Sequence, residues 1–395
     1  MRNRIPFLKG LRIATTLIAI VIMIFTMTSS TRVPIHQRVL IQGIGIDRSE
    51  TGRFHVTVQA VSTSSSSSIE VYEADGTSVF DALNNITVVS GKTPFYTHNS
   101  VIILGSDCAK QGLESVMDFF MRHHQTRPAE SVFLAKGNAK DILTLQTNPE
   151  FSMENDQLQM NQYVMTDQIE QLASAGNLNS QLLEIRVLDV ANALYSQSND
   201  VYLPTLTVQE QQIAVDGCSI FKGDSLQAML DSDTTVGIKA INNQLTGGAV
   251  TVKLEDGNQA TLSVLDSSCS VTAELQNQRP HFTVSLTCEL NINETTQPLR
   301  KILSVQEFTP LQDRVSEQIQ QAVEHALTMT LHKNQVDVVN FSDALRKQQT
   351  DWWKQNESNW HDLLPQCTFS VEVKSKITAE GQEMSPQTIT PYPVL

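Results

Sequence analysis

Aromatic residues make up only 6% of the 395-residue chain, and its five cysteines include no Cys-x-x-Cys pair. Zinc knuckles and dithiol redox motifs need thiols at short spacing, so both are excluded. An odd count leaves at least one cysteine free or paired between molecules. Cys288 and Cys367 fall on the apolar phase of alternating segments, where a reduced thiol packs as a small hydrophobe. One bridge among Cys108, Cys218, Cys269, Cys288 and Cys367 stays open. Basic charge is also scarce. The formal net charge is -14, from 28 lysines and arginines against 42 carboxylates. Four of the basic residues (Arg2, Arg4, Lys9, Arg12) precede the apolar segment, and the other 24 form no basic stripe. Proteins that grip phosphate backbones carry such a stripe, so nucleic acid is not an expected partner.

Catalytic signatures are missing too. There is no G-x-S-x-G elbow, P-loop or dinucleotide fingerprint. Gly43-Ile44-Gly45 lies inside a strand pattern and opens no helix, so it reads as a place of close packing and not as a phosphate cradle. Adjacent His123 and His124 come nearest to a metal site, but neighbours at a helix end are expected to point apart, and no further ligands stand at zinc spacing. No catalytic, cofactor-binding, metal or lipidation residue is assigned, no cofactor is expected, and the chain is not expected to be an enzyme.

Long apolar runs are limited to one. Residues 1–12 are basic, Ile13 to Met27 carries no charge, and Thr28 to Thr31 is small and polar, the pattern of a signal peptide or signal anchor. Fifteen residues are short for a span, although Leu11 and the following Thr and Ser residues extend the run toward the roughly 20 that a bilayer requires. No clear small-x-small cleavage site precedes Arg32, which favours retention as an anchor. The rest of the chain then lies on the extracytoplasmic side.

Beyond the anchor, hydrophobic periodicity predicts a mixed chain. Val39–Asp47 and Arg53–Val61 read as a hairpin around Glu50-Thr51-Gly52, and Ser62–Ser68 as a loop. Helices at 78–87, 112–122 and 139–145 alternate with strands at 99–104 and 131–135. Two polar helical stretches, about 156–174 and 182–195, precede a strand at 201–208 that places Pro204 at a sheet edge. A β-rich stretch follows, with a tight hairpin at Asp256-Gly257-Asn258. The strand His281–Asn293 alternates without a break. A helix capped by Thr309, with Pro310 in its first turn, runs to about His332. A helix at 342–353 and a strand at 367–373 close the series, and the tail from Thr378 is polar. The fold class is α+β, in three mixed domains after the membrane anchor (1–31): an N-terminal α/β domain (32–208), a β-rich middle (209–268) and an α+β C-terminal domain (269–395).

Read together, these segments resemble the Ger(x)C spore germination proteins, the C subunits of germinant receptors. The resemblance rests on Gly43-Ile44-Gly45-Ile46-Asp47, Val56-Thr57-Val58-Gln59, the serine-rich loop, Tyr72, Gly76, Phe80, His98-Asn99, Asp118-Phe119-Phe120, Arg122, Arg127 and Ala135-Lys136-Gly137. Gly217, Phe221, Lys222 and Leu230 extend it thinly through the middle. Asp337, Phe341, Ala344-Leu345, Trp353-Lys354, Asn359-Trp360 and Leu364-Pro365 extend it to the end. The resemblance implies three domains, each a sheet with flanking helices, no catalysis, and assembly with A- and B-type integral membrane subunits in the spore inner membrane to respond to small nutrients. Direct small-molecule binding is not implied. Members normally carry a lipobox cysteine, but here the corresponding stretch is Thr28-Ser29-Ser30-Thr31, so an uncleaved helix is the expected substitute for a lipid. His98, Asn99, Arg122, Arg127 and Asn359 are polar matches suited either to a partner surface or to internal capping. A membrane-anchored extracytoplasmic solute-binding or adhesive protein is the alternative reading.

Overall fold

The computed structural model describes residues 15–21, 23, 33–62, 69–145, 150–154, 157–161, 165–179, 183–196, 200–254, 257–295 and 305–378. The expected anchor lies mostly outside these residues; within it Thr15 to Val21 and Met23 are helical. No helix among the described residues is long and apolar enough to cross a membrane. The loop Ser62–Ser68 and the tail also fall almost wholly outside them.

The hairpin predicted at the start is strands β1 (Arg38–Arg48) and β2 (Phe54–Val61), followed antiparallel by β3 (Ile69–Gly76). The helix α1 (Val79–Ser90) starts where the Ser78 hydroxyl accepts the Asp81 N–H, a capping bond that satisfies an otherwise orphaned donor. The short strand β4 (Thr93–Phe95) and then β5 (Val101–Gly105) pair parallel to β1. Helices α2 (Ser106–Lys110) and α3 (Glu114–Arg122) lead to β6 (Ser131–Ala135), which continues the parallel pairing. After α4 (Ala139–Leu143) comes a separate hairpin, β7 (Glu150–Glu154) with β8 (Gln157–Asn161). Helices α5 (Met165–Asn179) and α6 (Val187–Tyr195) then precede β9 (Tyr202–Gln209), β10 (Gln212–Lys222) and β11 (Ser225–Leu230). The result is a nine-stranded mixed sheet ordered β11-β10-β9-β6-β5-β1-β2-β3, with β4 beside β1.

Both faces of this sheet are covered, which is why β5 reads as the continuous apolar run Val101-Ile102-Ile103-Leu104. Ile102 and Leu104 enter the larger core with Val116 and Phe120, whereas Val101 and Ile103 join Ile142, Leu143 and Ile169 on the opposite face. Gly43-Ile44-Gly45-Ile46 follows from this geometry. The two isoleucines fill the larger core, and the two glycines open the other face to close approach. A Cβ on Gly43 would meet Thr166 Cγ2 at 2.1 Å, and one on Gly45 would meet Ala139 Cβ at 3.1 Å. The expectation of close packing there is met.

Next, α7 (Ser232–Ile241) leads into a four-stranded sheet of β12 (Ala249–Lys253), β13 (Gln259–Gln276), β14 (Arg279–Thr295) and β15 (Thr368–Ile377). The alternation read from His281 onward is seen directly. Phe282, Val284, Leu286, Cys288 and Leu290 are all buried on one face. Over that face lies α8 (Val305–Leu327), which buries Leu311, Val315, Ile319, Val323 and Leu327. A π-helical turn, Thr328–Asn334, extends it. Helices α9 (Phe341–Gln348), α10 (Thr350–Asn356) and α11 (Trp360–Leu363) complete the chain up to β15.

The β9–β10 hairpin runs across the position placed as a boundary after residue 208, and the single strand β13 across the one placed after 268. Several expectations are corrected. Long-range hydrogen bonding, invisible in local periodicity, joins β10 and β11 to the first sheet. Pro204 is not at an edge, since β9 lies between β6 and β10. The missing N–H is tolerated because β10 shifts register between Val215 and Cys218 opposite Pro204, while the β6 pairing begins only at Thr205. Residues 157–161 form a strand in place of the expected helix start. The long helix begins at Val305, so Thr309 and Pro310 lie within it. The helix expected at 342–353 is broken near Gln349. All five cysteines are free thiols, and only Cys269 is other than buried.

The register shift in β10 yields a prediction. Gly217 has φ 71°, and a Cβ there would meet the Leu230 carbonyl oxygen at 2.0 Å. Gly217→Ala therefore combines left-handed strain with a backbone clash and should cost about 2 kcal/mol or more, lowering the thermal unfolding midpoint by several degrees. An unchanged midpoint in differential scanning fluorimetry would contradict this account of the bulge.

Candidate functional site

The most heavily built polar site joins the two sheets. Asp200 stands just before β9, with its side chain almost fully buried. Its Oδ1 accepts the Gly223 N–H at 2.9 Å, and its Oδ2 accepts the Asp337 N–H at 2.7 Å. His361 on α11 lies with Nε2 at 3.0 and 2.9 Å from the two oxygens. Asp337 is wholly buried. Its Oδ1 accepts the Phe341 N–H at 2.9 Å, and its Oδ2 accepts the Ser342 N–H at 2.8 Å and the Trp360 Nε1–H at 3.0 Å. One backbone bond, from Asp200 N–H to the Asp337 carbonyl at 3.3 Å, ties the two loops directly. Two carboxylates thus gather donors from four chain segments.

Local structure explains how Asp337 reaches those donors. Asn340 takes a left-handed conformation (φ 57°), which turns the chain into α9 so that the first helical N–H groups face back toward Asp337. These groups have no intrahelical partner, and a carboxylate at a helix start is favoured by the helix dipole. Below lies an aromatic floor. Phe282 and Phe341 stack with centroids 4.1 Å apart, and Trp353 and Trp360 meet edge to face at 5.5 Å. Burial pushes the Asp337 carboxyl up from the usual carboxylate range, against the pull of its N–H donors. The hydrogen bond to Asp200 raises the His361 imidazole above its ordinary value. Beside the junction is a pocket of about 290 Å³ whose polar lining includes Asp189, Asn192, Asp200, Tyr202 and Asn340. The Tyr202 hydroxyl is pushed up to about 12 by burial and stays neutral.

A second carboxylate serves a similar purpose in the first sheet. Asp47, at the end of the Gly-Ile-Gly-Ile-Asp stretch, accepts the Ala139 and Lys140 N–H groups at 2.8 and 2.9 Å and so caps α4. Gln59 does the same work at α5, accepting the Thr166 N–H at 3.1 Å. Asn99 and Arg127 are brought together on buried Glu130. Its Oε2 accepts the Asn99 amide and its Oε1 the Arg127 backbone N–H, both at 2.9 Å, while the Arg127 guanidinium donates to the Asn99 carbonyl. Burial raises the Glu130 carboxyl. His98 packs against Phe95 instead, Arg122 pairs with exposed Asp118, and Asn359 is exposed in a short turn far along the chain. The five polar matches therefore do not form one site.

His123 and His124 do not diverge as expected. Their ring centroids are 4.7 Å apart, because the helix ends at Arg122 and His123 turns to pack on Phe119 and Tyr96. Among the described residues no group of His, Cys, Asp and Glu is arranged to hold a metal.

Residues 31–208 match the spore germination protein N-terminal domain, and residues 216–381 match the spore germination B3/GerAC-like C-terminal domain. The chain belongs to the Ger(x)C family. Among its relatives, spore germination protein B3 of Bacillus subtilis (strain 168) is 23% identical over 88% of this chain and 92% of its own length. Spore germination protein A3 of the same organism is 22% identical over 66% of this chain and 68% of its own. The crystal structure of the GerBC protein superposes with a TM-score of 0.58 at 19% identity, covering 87% of this chain and 99% of that one, which establishes the mixed α+β fold. The gap between the two matched Ger(x)C regions, residues 209–215, takes in the β9–β10 turn and the first part of β10, inside the nine-stranded sheet. Asp200 belongs to the first region, and Gly223, Asp337 and His361 to the second. Asp337 and Trp360 were singled out in the sequence without a role. Asp200 and His361 were not, since a pairing 161 residues apart leaves no local signal. The spacing of Asp337 four residues before Phe341, at a helix start, was the one available clue.

Two outcomes follow. Asp337→Ala orphans three buried donors and should lower stability by about 2–4 kcal/mol in chemical denaturation. For His361 the folded-state pKa is raised, so its contribution is fully present below about 6.5 and is lost as pH rises through the folded value. Lys239, lowered to about 8 by burial, acts oppositely between about 8 and 10.5. Between pH 6.5 and 8 the wild-type unfolding midpoint should fall more steeply than that of His361→Gln, which keeps a donor but cannot titrate. Parallel curves would sink the assignment.

Proposed function

We propose that this Ger(x)C protein is a non-catalytic C subunit of a germinant receptor, assembled with two integral membrane subunits and held on the extracytoplasmic side of the spore inner membrane. The observation that carries the reading is how the buried carboxylates are used. Asp47, Glu130, Asp200 and Asp337 each accept two or more hydrogen bonds from backbone or side-chain donors, and their bonds hold distant segments together. A general base must have a lone pair free to face a substrate. These groups are spent on rigidity, which suits a subunit that passes on a conformational signal. The burial-raised thiols point the same way: Cys108, Cys218, Cys288 and Cys367 are each pushed up to about 12, far from the thiolate that nucleophilic chemistry requires.

Anchoring by the uncharged run Ile13 to Met27 follows from the missing lipobox cysteine. Affinity capture of the tagged full chain from spore membranes should co-purify two integral membrane proteins, and recovery of neither would count decisively against the assembly. Intact-mass analysis of the same material should find residues 13–27 still attached. A mature amino terminus near Arg32 would show that the segment is removed.

A further inference from the structure

A second pocket stands apart from the junction. It is about 410 Å³ and lies between the β13–β14 turn, α10 and the short turn Leu364–Gln366. Its walls are fixed. Asn277 and Gln278 both take left-handed conformations (φ 51° and 65°), forming the tight two-residue turn that pairs Gln276 with Arg279. Opposite, the junction of α9 and α10 is bolted to β13 by side chains. Gln348 accepts the Ala273 N–H at 2.8 Å and donates to the Val271 carbonyl at 3.0 Å, and Gln349 donates to the Ala273 carbonyl at 3.1 Å. The pocket needs no rearrangement to form.

Its chemistry is uneven. Trp352, Pro280 and Leu363 supply an apolar wall, and Gln278, Gln355 and Gln366 line it with exposed carboxamides that have no hydrogen-bond partner among the described residues. Arg279 adds a guanidinium with no carboxylate partner among the described residues, and no described lining residue is acidic, although the chain as a whole carries a net charge of -14. Carboxamides offer a donor and an acceptor side by side, which matches vicinal hydroxyls. An indole face covers the C–H face of a sugar ring, and a free guanidinium forks onto a carboxylate or phosphate. We propose that this pocket binds an anionic saccharide, with Trp352 against the ring, the glutamines on its hydroxyls and Arg279 on its charged group.

The test uses the full chain in detergent and ligand-observed saturation-transfer NMR, with glucuronate, glucose 6-phosphate, glucose and AMP as probes. Glucuronate or glucose 6-phosphate should bind roughly tenfold more tightly than glucose, about the effect of one charge-assisted contact, and the better of the two identifies the charged group. Arg279→Gln should erase that advantage and leave glucose unchanged, whereas Trp352→Ala should weaken all three sugars at least about tenfold. Gln355→Ala, an exposed change that spares the tryptophan packing, serves if Trp352→Ala fails to fold and should weaken glucose and glucuronate alike. No sugar binding, binding indifferent to all three substitutions, or AMP bound more tightly than either charged sugar would overturn the proposal.

Discussion

The most directional tie between the first sheet and the segment that leads into α9 is the pair of buried carboxylates, Asp200 and Asp337. A carboxylate removed from water is costly unless its lone pairs are filled, and here they are filled by N–H groups from a turn, a loop, a helix start and the Trp360 indole. The cost of leaving any one of these groups unpaired is what makes the junction specific. Hydrophobic contact between the halves is non-directional and would tolerate sliding. Two carboxylates with defined donors do not.

The same device recurs in smaller form. Asp47 reaches from β1 to the start of α4, Gln59 from β2 to the start of α5, and Glu130 holds Asn99 and Arg127 at the edge of the parallel strands. Each places a polar side chain from one element on the unsatisfied backbone of another. Polar residues used in this way fix the elements they join against sliding. The hydrogen bond to Asp200 holds the His361 imidazole above its ordinary value.

Much of the fold was legible because it is written in short-range patterns. The unbroken alternation from Phe282 to Leu290 announced a strand buried on one face, and Gly43-Ile44-Gly45-Ile46 encoded one face for packing and one for close approach. Where expectation failed, the deciding interaction was remote. The interior position of Pro204 depends on a bulge in another strand. Helix α7 escaped notice since Thr234, Thr235 and Gly237 are poor helix formers, and the helix is held by its Asp231 cap and by packing on α8. The junction was the least legible feature. Asp200 and His361 are ordinary residues in the sequence, and only the fold brings them within 3.0 Å.

Hydrogen exchange tests the junction most directly. In Asp200→Asn, whose side chain keeps its shape but loses half its acceptor capacity, the amides of Gly223 and Asp337 should lose protection together with those of Phe341 and Ser342, which touch only Asp337. Loss confined to Gly223 and Asp337, with the α9 amides unchanged, would show that the two carboxylates act separately and that no single clamp joins the sheets.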